Sequence, residues 1–234
     1  MWRGNIQEHI LYEDREILVC HKPAGLAVQN SRMGTMDMEN ALKNYLAQKN
    51  PGQLPWLAVI HRLDQPVEGV IVFAKTPKAA AGLNQQMTGG RIEKIYLAVT
   101  DQCPEKKQGI LTDYLLKDGR KNISCVVSAK TKGAKKAVLF YQVQEKIQDK
   151  RTCSGSRYLV KVQLETGRHH QIRVQMFHAG MPLVGDRKYY SEDISGLMLG
   201  LCSCSISFCH PVTGKKMDFH VSPKGETFQG FEQV

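Results

Sequence analysis

The chain has 234 residues, and 42% of them are hydrophobic, which is ample for a packed core and argues against disorder. Its 32 Lys+Arg against 22 Asp+Glu leave a formal charge of +10 and a pI near 9.3. That balance favours an anionic partner, nucleic acid above all, although a basic surface also serves plain solubility. The N-terminus, Met1 to Glu8, lacks the apolar centre of a signal peptide. No stretch approaches the ~18 apolar residues of a membrane span. The 7 cysteines include no C-x-x-C spacing and read as reduced thiols, so a soluble, cytoplasmic protein is expected.

In chain order, Ile10–Tyr12 and Ile17–Cys20 predict two strands around a polar turn. Lys22-Pro23-Ala24-Gly25 turns the chain again. Asp37 can cap a helix whose apolar face carries Met38, Leu42, Tyr45 and Leu46, and Asn50-Pro51-Gly52 ends it. Two apolar runs, Leu57–Ile60 and Val70–Ala74, read as buried strands. Between them lie His61-Arg62-Leu63-Asp64, then Pro66 and Gly69, which bend the connection. A carboxylate presented from such a loop suits nucleophilic or acid–base work. Taken alone, Asp64 fits a turn aspartate bonded to nearby backbone better.

Thr76-Pro77 starts a second helix and Gly89-Gly90 stops it. Strands are expected from Ile92 to Val99, carrying Lys94 and Tyr96, and over 110–116, 122–128 and 137–144. Alternation from Tyr158 to Glu165 predicts a half-buried strand, and a third helix spans about His170 to Ala179. Leu197–Ser207, the turn Pro211–Gly214 and Met217–Val221 close the chain. Strands outnumber helices and come in hairpin-like runs. This predicts an α+β fold with a long mixed, mostly antiparallel sheet flanked by helices and loops. Residues 1–234 are expected to form a single domain, with 101–109 and 147–156 as exposed loops inside it.

Three constellations could carry chemistry. Lys130, Lys132, Lys135 and Lys136, with Lys146, Lys150, Arg151 and Arg157, are expected in loops, where they suit phosphate contacts or merely a solvated surface. Arg168, His169, His170, Gln171 and Arg173 crowd a helix start. That arrangement favours phosphate or carboxylate over metal, because adjacent residues on a helix point apart. Cys202, Cys204, Cys209 and His210 invite a zinc reading. They lack a second ligand pair at finger-like spacing, and buried thiols on a strand fit better.

Several of these segments, taken together, resemble the RluA family of pseudouridine synthases. They are Ile17–Leu26, His61–Asp64 with Gly69–Thr76, Lys94-Ile95-Tyr96-Leu97-Ala98, Gly167–Val174 running on to Pro182–Asp186, and His210–Gly214. They span nearly the whole chain in the family's order, and an ordered set is far more specific than any one motif. The resemblance implies a pseudouridine synthase fold with a central active-site cleft. It implies isomerisation of uridine in ribosomal or transfer RNA, without cofactor or metal. By position Asp64 is the aspartate that attacks the nucleotide, and Arg173 pairs with it and keeps it ionised. Tyr96 packs on the base and is a candidate for proton removal. Arg62 fills the space of a flipped-out uridine. His61, Arg168, His170 and Gln171 join it as substrate-binding candidates.

The chain departs from the family pattern at Val67-Glu68, where the family usually has Thr-Ser. Glu68 sets a negative charge near where phosphate is expected. His169 stands where threonine is common, and Gln175 where histidine is common. No segment resembles the separate N-terminal RNA-binding domain of some relatives. Two other readings remain. One is a non-catalytic RNA-binding protein on the same fold, acting in RNA folding or ribosome assembly and supported by Val67-Glu68. The other is a hydrolase using Asp64 as base, which lacks a second carboxylate at a recognisable spacing.

Overall fold

A computed structural model describes residues 4–30, 35–193 and 195–233. In chain order the elements are β1 (Ile10–Glu13), β2 (Ile17–Lys22), α1 (Met38–Lys49), β3 (Ala58–Val59), β4 (Glu68–Ala74), α2 (Pro77–Thr88), β5 (Glu93–Thr100) and β6 (Gln108–Asp118). They continue with β7 (Ile123–Val126), β8 (Lys135–Gln148), β9 (Ser156–Leu164), α3 (Gln171–His178), β10 (Leu201–Cys209) and β11 (Lys216–His220). Strands dominate and the helices are few, as an α+β chain requires. No helix among the described residues is long and apolar enough to cross a membrane.

The chain divides into two compact units. The first comprises Met1–Lys94 and Ser203–Val221, the second Ile95–Cys202 and Ser222–Val234. In the first unit β2 pairs antiparallel with β1 on one side and β4 on the other, and β10 pairs antiparallel with β11. Every residue of β2 and β4 is buried. A continuous apolar run has that meaning in a strand covered on both faces. Ile17, Val19, Val70 and Val72 pack with Ala79 and Leu83 of α2 and with Ile206 and Phe208 of β10. Both helix starts form as their sequences predict. Asp37 Oδ1 accepts from Asn40 N at 2.8 Å, and Thr76 Oγ1 accepts from Ala79 N at 3.2 Å.

The second unit is a run of antiparallel pairs: β5 with β9, β9 with β8, β8 with β6 and β6 with β7. Helix α3 places Val174 in a cluster with Leu115 of β6 and Ala137 of β8.

Three expectations change. The strand expected over 57–60 shrinks to Ala58–Val59. Strand β8 runs on to Gln148 and β9 begins at Ser156, so the exposed loop expected over 147–156 is present but narrows to 149–155. The basic cluster expected in loops is split. Lys135, Lys136 and Lys146 lie on β8, while Arg157 lies buried on β9. Its guanidinium meets Asp149 at 2.7 Å and donates to the Thr227 and Gln229 carbonyls. A buried guanidinium with a carboxylate and two carbonyls is a structural anchor, and Arg157 leaves the RNA-contact set.

Candidate active site

The first unit holds Asp64 in the loop between β3 and β4. Leu63 is buried and anchors the loop, Arg62 on one side is exposed, and Asp64 on the other is half-buried. Val67 N donates to Asp64 O at 3.0 Å, closing a tight turn. The turn is then fastened from an unexpected quarter. Lys22, at the end of β2, is fully buried. Its ammonium donates to the carbonyls of Pro23 (3.0 Å), Leu26 (2.7 Å) and Gln65 (3.1 Å). Gln65 directly follows Asp64. Gly25 N also donates to Gln65 O, at 2.8 Å, and Gln65 Nε2 returns a bond to Gly25 O at 3.0 Å. Three donors meet three acceptors, so the ammonium is satisfied. Burial nonetheless pushes its pKa down to about 7, while the nearby carboxylates of Asp64 and Glu68 pull it upward.

His61 is held neutral. Burial, with the Lys94 ammonium adding to it, takes its pKa down to about 3. Val72 N lies 3.3 Å from His61 Nε2 and donates to it, so the ring proton belongs on Nδ1.

The expectation for Glu68 is overturned. Its side chain opens β4 and is buried at 5% exposure, with Oε2 3.6 Å from Nε2 of a buried His21 on β2. Val67 is also buried. The carboxylate is therefore drawn inward beside an imidazole and is not displayed at the surface. Gly69, next along, has φ +129°, and a Cβ there would lie 2.3 Å from the Ser203 carbonyl oxygen. Only glycine lets β4 and β10 approach so closely.

The second unit carries Tyr96 and Arg173. Tyr96 lies buried on β5, opposite Val162 of β9. Arg173, on the first turn of α3, is 4% exposed and forms a two-pronged pair with Asp186, itself 1% exposed. Nε donates to Oδ2 at 2.8 Å and Nη2 to Oδ1 at 2.6 Å. This fork fixes the guanidinium plane and leaves Nη1 outside the pair. Asp186 is oriented in turn by Lys188 N (3.1 Å) and Tyr189 N (3.3 Å). Gly185 before it has φ +76°, and a Cβ there would strike the Met198 carbonyl oxygen at 2.3 Å.

The other candidates of this unit divide by task. Gln171 spends its amide internally. Oε1 accepts from Thr166 Oγ1 and Arg168 N, and Nε2 donates to Val138 O. Arg168 is exposed and its Nε donates to Lys136 O at 2.9 Å. His170 is buried, with φ +53°. Its Nδ1 lies 2.8 Å from Tyr189 Oη.

The zinc reading of the cysteine run fails on geometry. Cys202 is fully buried and Cys209 exposed. His210 is already used: Nε2 donates to Asp14 Oδ2 at 2.9 Å, and Nδ1 accepts from Val212 N and Thr213 N. Among the described residues no three His, Cys, Asp or Glu side chains gather where they could hold a metal ion.

Sequence inspection passed over Lys22 and Asp186. A KPAG turn and a GD pair both look like surface turns. The available signal was that both fall inside the motifs that carried the resemblance.

Comparison with known proteins converges. The family model described as RNA pseudouridylate synthase matches residues 16–178. A ribosomal large subunit pseudouridine synthase C of Buchnera aphidicola is 29% identical, over 98% of this chain and 71% of its own. A tRNA pseudouridine synthase C of Haemophilus ducreyi is 33% identical, over 89% of this chain and 88% of its own. Among solved structures, human RNA Pseudouridylate Synthase Domain Containing 1 superimposes with a TM-score of 0.74 at 20% identity. The match covers 95% of this chain and 86% of that one, and it shows the shared fold.

Proposed function

This chain belongs to the RNA pseudouridylate synthase family, and on that premise we propose which of its residues turn a uridine into pseudouridine. The protein is an RNA pseudouridine synthase, an isomerase of uridines in ribosomal or transfer RNA. In that reaction the bond from the sugar to N1 of uracil breaks, the base turns, and a bond to C5 forms. The proton on C5 is lost and N1 gains one, so nothing is consumed overall.

The observation that carries the assignment is the fastening of Asp64. Its carboxylate sits half-buried in a loop tied at the next residue by a buried ammonium. A nucleophile needs such a fixed seat, because a small misplacement costs rate steeply. Asp64 is the residue that attacks the nucleotide. Arg173, its plane set by Asp186, is assigned the task of orienting the attacking carboxylate. Tyr96 packs against the uracil, and its hydroxyl takes part in removing the C5 proton. Arg62, exposed beside the loop, fills the gap left by the extruded base. His61, Arg168 and His170 contact the nucleotide or its phosphates, and Gln171 shapes the same helix start from within. The protein works as a monomer in the cytoplasm without metal or cofactor.

The non-catalytic alternative rested on Val67-Glu68, and the burial of both removes that support. Mapping pseudouridine in cellular RNA with and without the protein tests the activity and identifies the uridine. A site lost on deletion and restored by the wild-type chain is expected, and an unchanged map would contradict it.

A further inference from the structure

Tyr189 occupies the crossing point of the second unit's polar groups, and no motif pointed to it. Its ring lies against the guanidinium of Arg173, with the guanidinium carbon 5.3 Å from the ring centre. Its backbone N–H donates to Asp186 Oδ1 at 3.3 Å, the same oxygen that receives Arg173 Nη2. Its hydroxyl accepts from Ser124 N at 2.8 Å, and Ser124 is a buried residue of β7. Having accepted there, the hydroxyl has its own proton to give, and His170 Nδ1 stands 2.8 Å away. His170 precedes α3 in the left-handed region, at φ +53°. A residue other than glycine is uncommon there and stays only when its surroundings hold it. The His170 ring meets the Tyr189 ring edge-on at 5.6 Å and stacks on His169 at 3.8 Å. His169 is bonded in turn to Ser124 Oγ and Asn122.

We propose that Tyr189 is a positioning residue for the reaction: its ring supports the guanidinium plane of Arg173, and its hydroxyl fastens that support to the hairpin of β6 and β7. This rests on the reading of Arg173 given above. The fork from Asp186 fixes two nitrogens within their plane. It does not stop that plane from tilting about the axis of the pair. A ring over whose face the guanidinium carbon lies restrains that motion, provided the ring cannot slide. Bonds at the far end of the ring, to a strand residue on one side and to the start of α3 on the other, remove that freedom. Supporting contacts of this kind hold a reacting group to the tolerance that chemistry needs.

The test is a double-mutant cycle on Tyr189→Phe and Arg173→Lys, read by single-turnover rates and RNA binding, with melting curves for each variant. Phenylalanine keeps the ring and removes both hydroxyl bonds. Tyr189→Phe should slow the chemical step on the order of tenfold, the loss of one or two hydrogen bonds. RNA affinity should stay within about twofold of wild type, since binding is carried elsewhere. Added to Arg173→Lys, it should cost little further, because it acts through a plane that lysine does not have. A merely structural role would not give that non-additivity. A wild-type rate for Tyr189→Phe, or a full further loss on the Arg173→Lys background, overturns the tether alone. A wild-type rate for Arg173→Lys overturns the catalytic assignment of Arg173 and this proposal with it.

Discussion

Lys22 and Gln65 stand 43 positions apart, and the ammonium of one donates to the carbonyl of the other at 3.1 Å. That bond joins the end of β2 to the loop that presents Asp64. It makes a buried charge part of the architecture around the proposed nucleophile.

Lys22→Met should therefore destabilise the protein. The methionine fills the space but leaves the Pro23 and Leu26 carbonyls without the lysine donor, while Gln65 O keeps only Gly25 N; the loss is about 2–4 kcal/mol after allowing for the burial cost that the ammonium no longer bears. The sign with pH is specific. The folded state lowers the lysine pKa from 10.5 to about 7, so between those values the unfolded chain binds more protons. Stability from this group must rise with pH across that window. Urea unfolding at pH 7 and pH 9.5 should show wild type gaining on Lys22→Met. A gap that narrows would mean that burial does not lower the pKa of this lysine.

Arg173→Lys separates charge from shape. Lysine keeps the positive charge, so the field felt by RNA is unaltered, but it cannot match the two oxygens of Asp186 with a planar fork. RNA binding should stay within a few-fold of wild type while turnover falls at least ~100-fold. Near-normal single-turnover chemistry in a folded variant would return Arg173 to the class of phosphate contacts.

Tyr96→Phe keeps a ring to pack on the uracil and loses the hydroxyl. Binding should survive better than turnover. Single-turnover rates equal to wild type would leave Tyr96 with packing alone.

How much of this was legible beforehand depended on the range of the forces involved. The strand at Val70–Ala74 and the helix starts at Asp37 and Thr76 depend on neighbours in sequence, and their patterns showed them. Glu68 looked like a surface charge because its partner, His21, lies on another strand. Arg157 looked like an RNA contact because its acceptors at Thr227 and Gln229 are about seventy positions onward. Lys22 looked like part of an exposed turn because the strand pairing that buries it and one of its acceptors, Gln65, lie far along the chain. The positions of Asp64, Tyr96 and Arg173 came from ordered motifs. What holds the loop of Asp64 (Lys22) and the guanidinium of Arg173 (Asp186 and Tyr189) needed the fold.

The corrected basic surface gives a further expectation. Replacing Lys130 and Lys132, both in the connection before β8 and at the surface, with glutamine should weaken RNA binding and flatten its salt dependence, because fewer counterions are released. If affinity at several salt concentrations is unchanged in this double variant, that connection does not touch RNA.

The central claim is that Asp64 attacks the nucleotide, and Asp64→Asn tests it most directly. The amide preserves size and one acceptor oxygen, puts an NH2 donor in place of the other, and is a poor nucleophile. The measurement is tritium release from C5 of labelled uridine in substrate RNA, with RNA affinity and thermal melting followed alongside. The account predicts a folded variant that binds RNA within a few-fold of wild type and releases no tritium above background. Substantial release by Asp64→Asn would contradict it.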